Sequence, residues 1–92
     1  MTPTTVLRIA EKVSLARSLS VLQDHAGADA VWDDVKRDVY AEAHHTGLNS
    51  PHGTPCQVPG ICESNALAPH YLEAFIDGQT QRSVLTRSAA AA

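Results

Sequence analysis

The chain has 92 residues, a net charge of −3 and five histidines, and its 43% apolar content is inflated by 14 alanines. Its large apolar side chains are eight Val, eight Leu, three Ile, two Tyr and one each of Phe, Trp and Met, enough for one thin core and too few for a two-domain enzyme. Seven basic residues scattered over an acidic chain do not form the clustered positive surface that phosphate neutralisation requires. No apolar run approaches the roughly 18 residues of a membrane span. Glu11 and Lys12 interrupt the stretch that a secretory leader would need to keep apolar. The expected setting is cytoplasmic, with both cysteines reduced.

Between Thr4 and Ala26 there is neither Pro nor Gly, and apolar residues recur at three-and-four spacing: Val6, Ile9, Ala10, Val13, Ala16, then Leu15, Leu19, Leu22, Ala26. This predicts an amphipathic first helix over about residues 4–26, with Thr2 or Thr4 as N-cap, Pro3 in its first turn and Gly27 ending it. The apolar stripe changes phase after Ala16, and Leu7 and Val21 lie off both tracks, so the helix carries more apolar surface than one neighbour can cover.

A second helix is expected over about 29–45, capped by Asp29 and ended by Gly47, with Ala28, Val31, Trp32, Val35, Val39 and Ala43 on its buried side. The short connection between the two makes them an antiparallel hairpin, and charge agrees: residues 1–23 sum to +2 and residues 24–42 to −4. The acidic row Asp29, Asp33, Asp34, Asp38 and Glu42, broken by Lys36 and Arg37, reads as a solvated face.

Residues 47–68 form a loop dense in Pro and Gly, with a turn expected at Pro59-Gly60. A third helix starts near Pro69 with Leu72, Phe75 and Ile76 as its stripe and ends at Gly78, unless 79–92 extend it, form a fourth element or order on a partner. The predicted fold is a single small all-α domain: a long hairpin with a third helix packed across it.

Four of the five histidines and both cysteines fall between His44 and His70. His52, Cys56, Cys62 and His70 offer a Cys2His2 set for zinc, which takes four such ligands in a tetrahedron. Five residues between the cysteines, rather than two to four, argue against it, and two free thiols or a Cys56–Cys62 disulfide are the alternatives. His25, His44 and His45 stand near predicted helix ends, where an imidazolium complements the dipole. There is no phosphate loop, no His-Glu-x-x-His helix and no nucleophile elbow, so no enzyme and no resident cofactor other than possible zinc is expected.

The sequence therefore points to a non-enzymatic interaction module, an adaptor, regulator or inhibitor. Its partner is a protein or a second copy, not nucleic acid or membrane, met by a helical face built from Leu15, Leu19 and Leu22 with Trp32 as anchor. The competing readings are a zinc-stapled module and a helix-turn-helix DNA-binding regulator; the latter would present an acidic recognition helix to phosphates.

Overall fold

The computed structural model describes residues 1–51 and 53–91, with the side chains of 88–91 outside the description. Among the described residues there are four helices and no strand: α1 (Pro3–Val21), α2 (His25–Leu48), α3 (Gly60–Ser64) and α4 (Ala68–Ala91). The all-α class is as the periodicity requires. The chain forms two compact units, Met1–Asp38 and Val39–Ala92, with the division inside α2.

In the first unit, Thr2 caps α1, accepting at 3.2 Å from the Thr5 amide, and Pro3 occupies the position where a missing N–H costs nothing. The buried track is Thr5, Ile9, Val13 and Ala16, one helical face at four-and-three spacing. α1 ends five residues before the expected Ala26. Gln23 adopts φ 61°, its amide bonds to the Ser20 carbonyl, and the Asp24 amide bonds to Leu19, the paired reversed bonds that close a helix C-terminus.

Asp24, not Asp29, then caps α2, its carboxylate accepting from the Gly27 amide at 3.0 Å. Gly27 is therefore inside the first turn of α2 rather than ending α1. An ion-pair ladder fixes the antiparallel register: Lys12 Nζ reaches Asp38 at 2.8 Å and Asp34 at 3.1 Å, and Arg8 reaches Asp38 at 3.5 Å. The opposite charges of the two segments meet here, and the two carboxylates raise the Lys12 pKa, Asp38 more than Asp34.

The second unit is built on a helix crossing. Gly47, expected to end the second helix, lies within α2, and Gly78, expected to end the third, lies near the middle of α4. A methyl group on Gly47 would strike the backbone of Phe75, and one on Gly78 would strike the carbonyl of His44 and approach the Gly47 Cα to 3.1 Å. Ala43 and Ala74, four residues before each glycine, are fully buried. Tyr40, seven residues back from Gly47, also reaches α4, donating to Asp77 at 3.4 Å. The glycines sacrifice helix propensity, about 1 kcal/mol each, for this backbone contact.

α4 continues past Gly78 through the segment 79–91, left open by the sequence. Its buried face is Tyr71, Ala74, Phe75 and Gly78; Leu72 and Ile76, expected beside Phe75, are exposed. The expected turn at Pro59-Gly60 is instead the start of α3, with Pro59 at φ −60°, ψ 145° as its N-cap. Ala66 at φ 57° closes α3, with the Leu67 amide bonded to the Cys62 carbonyl at 2.8 Å. The Gln79 amide holds the connecting loop through the Pro51 and Thr54 carbonyls, and Arg82 donates to the Leu48 carbonyl at 2.9 Å at the end of α2.

Gly47→Ala or Gly78→Ala is expected to lower unfolding free energy in urea by about 2 kcal/mol or more, because backbone on the facing helix has no rotamer to move. Gly60→Ala, where an added methyl meets nothing within 4 Å, is the neutral control. Gln23→Gly is expected to raise stability by about 1 kcal/mol by relieving the left-handed conformation.

Candidate functional site

The ion pairs Arg8–Asp38 and Lys12–Asp34 lie towards the open end of the hairpin, away from its turn. The ionic residues gather at that end of this unit, leaving Arg17, Asp24 and Asp29 as the formal charges among residues 13–32. Leu15 is 51% exposed and Leu22 76%, while Leu19 and Trp32 are half-buried. Leu7 and Val21, which the periodicity placed off the main tracks, are exposed at 59% and 82%. The core face of α1 is already filled by Ile9, Val13 and Ala16, so its leucines lie outside the core in spite of their size. On thermodynamic grounds such a row is surface in search of a cover.

The loop residues that the sequence singles out are dispersed in their roles. Cys62 is fully buried, Cys56 is half-buried, both are free thiols, and His70 is exposed on α4. His52 is outside the described residues, so the proposed four-ligand set is not described as a whole. Among the described residues no three His, Cys, Asp or Glu side chains are grouped to hold a metal ion. What Cys56 and Cys62 share is Tyr71, since both thiols lie near enough to its hydroxyl to act on its ionisation; the Thr46 hydroxyl on α2 donates to the Glu42 carbonyl at 2.9 Å. Burial pushes the Tyr71 hydroxyl and both thiols above their ordinary values.

His44 stacks on Tyr40 at 5.7 Å between centroids, and Tyr40 donates to Asp77 at 3.4 Å, which ties α2 to α4 at the surface. His45 has its ring within 3.2 Å of the Asn49 amide, at the last turn of α2, where the sequence placed it. An open cleft of about 360 Å³ lies against Pro51, Arg82, Ser83, Thr86 and Arg87, but its Arg82 is already engaged at the end of α2. None of these groups sets a nucleophile beside an oriented base.

No helix of the described residues is long and apolar enough to cross a membrane. Compared with known families, curated proteins and solved structures, the chain matches none.

Because the buried thiols are held protonated, Cys62 is expected to react with an aromatic disulfide reagent only when the chain unfolds, and Cys56 slowly in the folded state. The sign for stability follows from linkage. An acid whose folded pKa is raised stabilises the fold while it is neutral, so stability is constant below the ordinary thiol value of 9.0 and falls as pH climbs beyond it, the unfolded chain ionising first. A stability that rises between neutral pH and 10 would contradict this.

Proposed function

We propose that the protein is a small non-enzymatic interaction module that works by covering the apolar outer row of α1 with a helix of another protein or of a second copy. The observation that carries this reading is the exposure of Leu15 and Leu22 on a helix whose core face is complete without them. Leu19 and Trp32, both half-buried, are the residues that complete the face in this reading. A partner helix would dock with its own apolar stripe along α1, in the helix-in-groove manner.

Charge supports a protein partner over nucleic acid, since Arg8, Lys12 and Arg37 are all engaged by Asp34 and Asp38. Two free thiols fit action in a reducing, cytoplasmic compartment. The His/Cys loop, in this reading, is the connector that lets α4 cross α2.

The test separates interface from core. Leu22→Asp is expected to keep its helical circular dichroism and to lose less than about 1 kcal/mol of stability, whereas Ile9→Asp unfolds the chain. A photo-crosslinking residue at position 15 or 22 is expected to give a protein adduct of defined mass in cells, and one at Lys36 none. Unfolding by Leu22→Asp, or the absence of any adduct from both row positions, would overturn the reading.

A further inference from the structure

The outer face of α1 has an internal symmetry. Its residues at helical spacing are Leu7, Glu11, Ser14, Leu15, Ser18 and Leu22, and reversing the helix about the midpoint between Ser14 and Leu15 maps this set onto itself. Leu7 then falls opposite Leu22, Glu11 opposite Ser18, and Ser14 opposite Leu15. Each large side chain meets a large one at the ends, and a large one meets a small one in the middle, the pattern by which two helices interlock.

We infer that α1 pairs with α1 of a second copy in an antiparallel two-fold dimer. This rests on the interaction reading above and names the partner of that same face.

Three further observations support a second copy as the occupant. Leu7, Leu15 and Leu22, the apolar residues of this face, are 59%, 51% and 76% exposed, so a two-fold pair buries three large side chains from each copy at once. The Ser18 hydroxyl donates to the Ser14 carbonyl at 3.0 Å, so that hydroxyl has a bond within its own helix and tolerates loss of water. Glu11 is the one formal charge in the set. A parallel pair would bring the two Glu11 carboxylates together, while the antiparallel pair sets each against a serine hydroxyl.

A two-fold pair has a self-complementary face, so one substitution acts twice. Sedimentation equilibrium of the untagged chain, from micromolar to near-millimolar concentration, is expected to show twice the 9.8 kDa chain mass at the upper end. Leu22→Glu, with its circular dichroism checked, is expected to weaken the association by at least about 30-fold. Ser18→Lys brings a cation opposite Glu11 in both halves of the pair and is expected to tighten it by about threefold or more.

A chain that stays monomeric throughout, a dimer indifferent to Leu22→Glu, or a dimer that Ser18→Lys loosens would overturn the inference. The crosslinks at positions 15 and 22 tell the two failures apart. A monomer whose row crosslinks to a different protein removes the self-pairing and leaves the interaction module standing; a monomer with no adduct removes both.

Discussion

The contact on which the second unit depends is the crossing of α2 and α4 at Gly47 and Gly78, where no side chain separates the two backbones. The facing Ala43 and Ala74 are fully buried, so both helices present a small-residue track to the crossing. A close approach brings many dispersion contacts into register at once, which offsets the propensity that glycine forfeits in a helix. Between the end of α2 at Leu48 and the start of α4 at Ala68 the chain runs through a Pro-rich loop and the short α3. Cys62, Leu67, Tyr71 and Phe75 are buried in this part of the second unit, which is why the Cys62 thiol is shielded from water.

A core made from small residues leaves large ones elsewhere. Of the buried positions many are Ala, Val or Gly, while five of the eight leucines, Leu7, Leu15, Leu22, Leu72 and Leu85, stand exposed, as do Val21 and Ile76. Single exposed apolar residues are ordinary, but a row along one helix is not, because its hydration is an unspent driving force. The ion pairs at the open end of the hairpin set register and orientation, and as partly exposed contacts they add little stability. The thin fold and the uncovered row are two aspects of one composition, and both are what the proposed association would draw on.

The helical periods, the Thr2 cap, the hairpin and its charge complementarity were legible from residue order, as was the buried track Ile9, Val13, Ala16 on α1 and Ala28, Val35, Val39, Ala43 on α2. Most helix ends were not. Gly47 marks the end of α2 to within one residue, at Leu48, but Gly27 and Gly78 end no helix, and the chain reverses instead at Gln23 and Ala66, two residues with side chains in the left-handed region. Nothing in the identity of Gln or Ala announces that conformation; hydrogen bonds from the following turn impose it. The paired small-residue tracks Ala43/Gly47 and Ala74/Gly78 were the available signal that these glycines serve contact, not termination. On the surface, Leu15 and Leu22 are exposed and Leu19 and Trp32 half-buried; the periodicity already set Leu7 and Val21 off the buried tracks, and both are exposed, while Ser14 and Ser18 carry no apolar signal by which the sequence could have singled them out.

The most direct measurement is a methyl- and Hα-resolved nuclear Overhauser spectrum of the isotopically labelled chain at low concentration. The account predicts a strong contact between the Hα protons of Gly47 and Gly78, together with no long-range contacts within the chain from the methyl groups of Val21 and Leu22. Glycines that see no protons of the opposite helix, or Val21 and Leu22 methyls packed against distant residues of their own chain, would contradict it.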